Sequence, residues 1–161
     1  MNLDHIIQER IDEHLQVVGL LKNDSKFLTN LSEISNVITE CFKSGGKLLI
    51  CGNGGSAADS QHLATELVSR FFLERKALDA EALTVNTSTL TAVANDYSFD
   101  KVFSRQLEAK GKEGDVLLAI STSGNSKNII EAIKAAKSIG IKTIGFAGNN
   151  RDSLICKMSD Y

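Results

Sequence analysis

The segment Leu48–Leu67, LLICGNGGSAADSQHLATEL, joins an apolar run to a helical pattern through a glycine-rich loop. A strand that ends in glycines generally does so because another group must approach the backbone closely. The helix that follows directs its unpaired N–H groups into the same space, which favours an anion there. Two polar side chains, His62 and Glu66, then lie one turn apart on one face of that helix. The segment predicts a strand, a loop that a ligand approaches, and a helix with candidate functional groups.

The His62–Glu66 pair is open to more than one interpretation. An imidazole and a carboxylate at this spacing can bind a divalent metal, or the carboxylate can act as a base beside the imidazole. The same spacing is frequent by chance on solvated helices. Zinc requires about four ligands, and this segment supplies two. At the start of the helix, Ser56 and Asp59 resemble a capping box.

The rest of the chain alternates between strand and helix patterns. Two helical stripes come first, Ile7, Ile11, Leu15 and Val18, then Phe27, Leu31, Ile34 and Ile38. Four short apolar runs follow: KLLIC, EALTV, DVLLAIS and KTIGFA. Helical segments are predicted at 56–71, 87–94, 99–109 and 126–139. This order predicts an α/β fold, a flavodoxin-like three-layer α/β/α sandwich with a parallel sheet, after an N-terminal helical hairpin. We expect one domain over residues 1–161, with helices at 1–45 and the α/β core at 46–161.

Composition excludes several classes of protein. The chain has 161 residues, 42% hydrophobic and 24% charged, with a net charge of −2. This balance gives no reason to expect nucleic acid or an anionic membrane as a partner. The N-terminus lacks the features of a signal peptide, and the three cysteines form no CxxC pair. Free thiols favour a cytoplasmic location.

Polar loops are predicted where three strands end, at one edge of the sheet where ligands bind. Ser121–Ser126, STSGNS, combines hydroxyls with a helix N-terminus, which suits a phosphate dianion. Ser126 is also expected to cap the helix that follows, and the alternative is that the loop is only a cap and a turn. The loops lack the Walker lysine pattern, so a small phosphorylated molecule is favoured over a nucleotide.

Asn95 and Asp96 follow a helical segment and are typical of a turn or cap, although both could bind sugar hydroxyls. Arg70 is either a surface charge or a partner for phosphate or carboxylate.

Three motifs, CGNGGSAADSQHLATEL, ANDYSFDKVFSRQLEA and GDVLLAISTSGNSKNIIEAI, resemble the sugar isomerase (SIS) domain. Within it, their order and spacing are most similar to the phosphoheptose isomerases. The resemblance implies conversion of sedoheptulose 7-phosphate to D-glycero-D-manno-heptose 7-phosphate, for lipopolysaccharide or other surface heptose. It also implies a cytoplasmic homotetramer that binds zinc.

The resemblance assigns roles to individual residues. Sugar contacts are expected from the glycine loop and from the Asn-Asp pair: Asn53, Gly54, Gly55, Ser56, Asn95 and Asp96. The phosphate is expected at Ser121, Thr122, Ser123 and Ser126. His62 and Glu66 are the expected zinc ligands, with Glu66 also contacting substrate as the catalytic base.

One departure from the family limits these expectations. The family has a further strand and a last helix, whose Gln and His complete the metal site, and these lack a counterpart here. A chain that ends at Tyr161 is expected to have little isomerase activity. Two alternatives stay open: a non-catalytic SIS protein that binds a replication initiator, and an isomerase of another sugar phosphate.

Overall fold

The computed structural model describes residues 3–161, which divide into two compact units. The first ends at Asn36, and the second runs from Val37 to Tyr161. The boundary falls inside the second helix. Each unit is described separately below.

The first unit consists of helix α1, Leu3–Asn23, and the first half of α2, Ser25–Lys43. Asp24 separates the helices and caps the second, because its Oδ1 accepts the Phe27 N–H at 3.0 Å. The two predicted helices are therefore confirmed. Within α1 none of the described residues is buried, and its apolar stripe is exposed: Leu3, Ile7, Ile11, Leu15 and Val18.

The second unit is built on a four-stranded parallel sheet. Its strands are β1 Leu48–Gly52, β2 Ala80–Ala82, β3 Val116–Ser121 and β4 Lys142–Ala147. Their order is β2-β1-β3-β4. The chain therefore moves from β1 to one side and later returns to the other, which makes β1 and β3 the neighbours at the switch point.

Helices cover both faces of this sheet. They are α3 Gly55–Val68, α4 Thr87–Asp96, α5 Ser104–Lys110, α6 Lys127–Ile139 and α7 Leu154–Met158, with a 3₁₀ turn at Phe99–Lys101. The crossovers through α3 and α6 run in opposite directions from the switch point, so a right-handed connection places them on opposite faces. Every residue of β1 is buried, as expected of a strand covered on both sides. The predicted three-layer α/β/α sandwich is confirmed.

Side chains from alternate strand positions form the core with α5 and α6. Leu49 and Cys51 of β1 and Leu117 of β3 belong to the same buried cluster as Leu107 and Ile133. This packing fixes α6 against β3, and so fixes where the loop between them lies.

The last residues run beside β4. Asp160 accepts the N–H and the hydroxyl of Thr143, each at 2.8 Å, and Gly145 donates to the Tyr161 carbonyl at 2.9 Å. Over residues 3–161, no helix is both long and apolar enough to cross a membrane.

Candidate functional site

The glycine loop after β1, residues 52–56, leaves part of its main chain accessible to a ligand. A side chain at Gly52 would overlap Ser56, which keeps the turn tight, whereas Gly54 and Gly55 face open space. Gly54 adopts a φ of 56°, a conformation that favours glycine. Residues 54 and 55 therefore let a ligand approach the main chain.

Helix α3 begins one residue before the predicted cap. Gly54 is the N-cap and has no side chain to accept a hydrogen bond, and Ser56 lies inside the first turn. The Ser56–Asp59 capping box was therefore wrong. The Ser56 N–H donates to the Asn53 carbonyl at 3.0 Å, so it is not available to the Asp59 carboxylate as a capping box requires.

The loop after β3 gathers three hydroxyls. Ser121, at the end of the strand, is buried, and its Oγ lies 3.1 Å from Ser126 Oγ and 3.5 Å from Ser123 Oγ. Ser126 stands at the N-cap position of α6 but makes no side-chain cap, because its hydroxyl is turned to Ser121. The expected capping bond from Ser126 was wrong, whereas its place at the helix N-terminus is confirmed. Thr122, also predicted to bind phosphate, is exposed on the same loop.

Residues 121–126 form this hydroxyl loop, and residues 148–155 hold it from one side. Gly148 N–H donates to the Thr122 carbonyl, and Ile155 N–H donates to the Gly124 carbonyl, both at 3.0 Å. Leu154 N–H donates to the Asn125 side-chain oxygen, also at 3.0 Å. These three hydrogen bonds hold the loop in place.

The glycine loop and the hydroxyl loop are joined by a pair of side-chain amides. Asn53 Nδ2 donates to Asn128 Oδ1 at 2.9 Å, and Asn128 Nδ2 donates to Asn53 Oδ1 at 2.8 Å. Asn53 was predicted to contact substrate, but Asn128 was not predicted. The signal for it is weak: Asn128 precedes the buried Ala132 and Ala136 by four and eight residues, on the apolar stripe of α6.

His62 and Glu66 form the expected pair on α3. His62 Nε2 lies 3.2 Å from Glu66 Oε1, and the side chains are 73% and 32% exposed. Glu66 is ten residues beyond Ser56, which is about 15 Å along the helix axis. Helix α3 runs back along the sheet, and near its end the Leu67 carbonyl accepts the Leu78 N–H just before β2. Glu66 therefore lies toward the end of α3 opposite to the glycine loop.

The donor set of this pair suits zinc in kind but is only half of a site. An imidazole nitrogen and a carboxylate oxygen are both common zinc ligands, and zinc takes about four. Within residues 3–161, no three His, Cys, Asp or Glu side chains are grouped so that they could hold a metal ion. The remaining donors would have to come from elsewhere.

The other predicted polar residues lie on the surface. Asn95 and Asp96 end α4, are exposed, and are joined by a hydrogen bond of 2.9 Å from Asn95 Nδ2 to Asp96 Oδ1. Arg70 makes an exposed ion pair with Glu74 at 2.9 Å. Within this chain neither Asn95 nor Asp96 is bonded to the hydroxyl loop. Cys51 is fully buried in β1, and this burial raises the pKa of its thiol to about 12, which leaves it unreactive.

Comparison with known proteins first identifies the domain family. The SIS domain family matches residues 19–148. A phosphoheptose isomerase from Clostridium acetobutylicum is 52% identical over 92% of this chain and 76% of its own length. One from Synechocystis is 53% identical over 96% of this chain and 79% of its own length.

Solved structures agree with the sequence relatives. A phosphoheptose isomerase from Francisella tularensis is 33% identical and superposes with a TM-score of 0.92, over 99% of this chain and 82% of that one. One from Neisseria gonorrhoeae is 41% identical, with a TM-score of 0.80, over 96% and 81%. The chain therefore belongs to the phosphoheptose isomerase family of SIS-domain proteins, which confirms the interpretation of its three motifs.

Proposed function

We propose that this protein is an aldose–ketose isomerase that converts sedoheptulose 7-phosphate to D-glycero-D-manno-heptose 7-phosphate. The observation that carries the proposal is the loop at the switch point. There, the hydroxyls of Ser121, Ser123 and Ser126 converge at the N-terminus of α6, beside an open glycine loop.

The hydroxyl loop is suited to the phosphate of the sugar. Hydroxyls and free N–H groups at a helix N-terminus are neutral donors, and the helix dipole favours an anion there. Binding at this end of the substrate contributes positioning energy remote from the reacting carbons. The phosphate would therefore lie against Ser121–Ser126, with the sugar extending past Asn53, Gly54 and Gly55.

The reaction requires a base at the other end of the substrate. A carboxylate removes the proton from C1 of the ketose, next to the C2 carbonyl, and leaves an enediolate. After its proton exchanges with solvent, the base delivers a proton to C2. The proton of the C1 hydroxyl passes to the C2 oxygen, so the carbonyl moves to C1 without an oxidant. Glu66 is the proposed base, with His62 at 3.2 Å to orient it.

Zinc binding is part of the proposal, with His62 and Glu66 as two of its ligands. When bound, zinc would polarise the substrate carbonyl and stabilise negative charge on its oxygen. Zinc takes about four ligands, so two more would be required. Zinc titration of the wild-type protein and of His62→Ala, followed by calorimetry, tests this assignment, and equal affinities would remove His62 as a ligand.

The separation between the hydroxyl loop and Glu66 favours a site shared by two copies of the chain. We propose a homotetramer in which the loop of one copy faces the His62–Glu66 turn of another. The exposed apolar stripe of α1 is the expected assembly surface, because isolated exposed stripes of this length are usually covered. The protein would act in the cytoplasm and supply heptose for lipopolysaccharide or another surface polysaccharide.

Mixing two impaired variants, assayed at a substrate concentration well below the KM of the serine variant, tests the shared site. Glu66→Gln and the double variant Ser121→Ala with Ser126→Ala are unfolded together, refolded, and compared with each variant refolded alone. Recovery of activity in the mixture supports sharing between copies. An inactive mixture that forms full oligomers would show that each chain uses its own loop and its own Glu66.

The function itself is tested by an isomerase assay on the full-length protein with sedoheptulose 7-phosphate, with and without a chelator. We expect turnover, and a loss of turnover on chelation that added zinc restores. A well-folded full-length protein that does not convert this sugar, but binds a replication initiator, would favour the regulatory alternative.

A further inference from the structure

We infer that Asn128 is a positioning residue for the isomerase reaction: through its paired amide it sets the orientation of Asn53 and joins the glycine loop to the hydroxyl loop. The inference rests on the proposed function, because it concerns how that site is held together. Asn128 lies within the third motif, GDVLLAISTSGNSKNIIEAI, but is not among the predicted site residues.

The contact is reciprocal and sheltered. Each amide donates one N–H and accepts one at its oxygen, at 2.9 and 2.8 Å, across 75 residues of sequence. Asn128 is only 2% exposed, and Asn53 is half-buried. A buried amide without partners is strongly unfavourable, so each side chain stabilises the other in this orientation.

The location of the pair gives it a functional consequence. Asn53 follows the last residue of β1, and Asn128 lies in the first turn of α6, directly after the hydroxyl loop. The two loops belong to the neighbouring strands at the switch point. The amide pair therefore sets the distance between the loop proposed for the phosphate and the loop proposed for the sugar.

The pairing also determines what Asn53 offers to a ligand. A side-chain amide has two N–H donors and one oxygen. Asn128 occupies the Asn53 oxygen and one N–H, which leaves Asn53 with the second N–H as its strongest free group. A donor of this kind is complementary to a sugar oxygen that becomes more negative as the enediolate forms.

Loss of Asn128 is therefore expected to act on catalysis more than on binding. Misplacement of a positioning group by about 1 Å costs about 100-fold in rate. Asn128→Leu keeps a similar size but removes both hydrogen bonds. We expect its kcat to fall by about 10- to 100-fold while its KM for the sugar phosphate stays within about three-fold.

Asn128→Asp adds a readout that a merely structural residue would not show. A protonated Asp has one O–H donor and one acceptor oxygen and restores both bonds, whereas an ionised Asp has no donor for the Asn53 oxygen. We expect the kcat of Asn128→Asp, divided by that of wild type, to rise as pH falls. The same ratio for Asn128→Leu is expected to stay flat.

A matched control separates positioning from loss of stability. Ile133→Val removes one methyl group from the fully buried part of α6 and leaves the amide pair intact. It should lower the melting temperature without changing kcat. If Asn128→Leu and Asn128→Asp both keep wild-type kcat across the pH range, the inference is overturned.

A second measurement is independent of activity. In ¹⁵N-labelled protein, we expect slow solvent exchange of the Asn53 side-chain amide protons in wild type and faster exchange in Asn128→Leu. Equal exchange rates would overturn the inference. A wild-type protein that shows the slow exchange but does not isomerise the sugar would instead refute the proposed function and leave the amide pair supported.

Discussion

Glu66 is the side chain on which the proposed proton transfer depends. Replacement by Gln keeps its size and removes its ability to accept a proton. A positioned acid–base group contributes about 10²- to 10⁴-fold, so we expect kcat of Glu66→Gln to fall by at least about 100-fold. The melting temperature should change little, because the contact between Glu66 and the exposed His62 lies at the surface.

Glu74→Gln is the control for this experiment. Glu74 lies eight residues further along the chain and pairs with Arg70 at the surface. Its replacement should leave kcat unchanged. Wild-type turnover by Glu66→Gln would remove Glu66 from the mechanism.

Ser121 and Ser126 are expected to act on binding. Each proposed hydrogen bond to a charged phosphate is worth about 1.5–3 kcal/mol, so Ser121→Ala or Ser126→Ala should raise KM by about 10- to 100-fold. Inorganic phosphate should inhibit both variants more weakly than wild type. Ser138→Ala, at the far end of α6, serves as the control because its hydroxyl donates to the Ala135 carbonyl of the same helix. Unchanged KM and phosphate inhibition would show that the phosphate binds elsewhere.

Among the elements, α7 and the residues before it support the hydroxyl loop at Gly124. This glycine has a φ of 66°, and a β-carbon there would collide with the buried Ser153 hydroxyl. Gly124→Ala is expected to lower stability by about 1–3 kcal/mol and to raise KM, because it combines an unfavourable backbone conformation with a clash.

Gly19→Ala makes a matched control in chemical denaturation. Gly19 lies within α1, has a helical backbone and has open space around its α-carbon, so alanine should stabilise that helix. A Gly124→Ala protein as stable as wild type, with wild-type KM, would contradict this account of the loop.

Asp160 connects the last residues to β4 and makes this contact sensitive to pH. Burial raises the pKa of its carboxyl, but hydrogen bonds from Lys137 and Thr143 outweigh burial, so the net pKa lies below its usual value. A lowered pKa in the folded state means that the stabilisation is complete above the unfolded pKa of about 3.9 and is lost as pH falls through the folded value.

Asp160→Asn is therefore expected to lower the melting temperature at pH 7 and to lose this effect progressively below about pH 4. Asp152→Asn is the comparison, since Asp152 is 92% exposed and pairs with Lys157 at the surface. A constant difference between Asp160→Asn and wild type at all pH values would contradict the electrostatic explanation.

The same elements show what the sequence can and cannot predict. The run KTIGFA matches β4 residue for residue, because an apolar run bounded by a glycine turn leaves little choice. The predicted strand at 81–85 is observed at Ala80–Ala82, since Leu83 makes its last bond to Ile50 and the chain then turns toward the Asn86 cap. The predicted helix at 56–71 ends at Val68, and Phe71 and Phe72 are exposed.

Within the candidate site, local patterns found the two loops and the His62–Glu66 turn. They could not find Asn128, because its partner is 75 residues away and the two meet only through the pairing of β1 with β3. They also placed the Ser126 hydroxyl on the helix end, whereas tertiary packing turns it to Ser121. Contacts between distant loops depend on the register of the sheet, which composition and periodicity do not specify.

At the scale of the whole molecule, family membership and geometry give complementary information. Relatives at about half identity make phosphoheptose isomerisation the expected activity. The geometry adds that the loop proposed for the phosphate and the proposed base lie apart within one chain, so assembly is part of the proposed site.

The most direct test of the central claim follows the transferred proton. Sedoheptulose 7-phosphate is incubated with the full-length protein in D₂O, and the product is observed by NMR. Proton removal by Glu66, exchange of its carboxyl proton with solvent and delivery to C2 of the enediolate predict D-glycero-D-manno-heptose 7-phosphate that carries solvent deuterium at C2. Failure to form this product, or product that contains no solvent deuterium, would contradict the account.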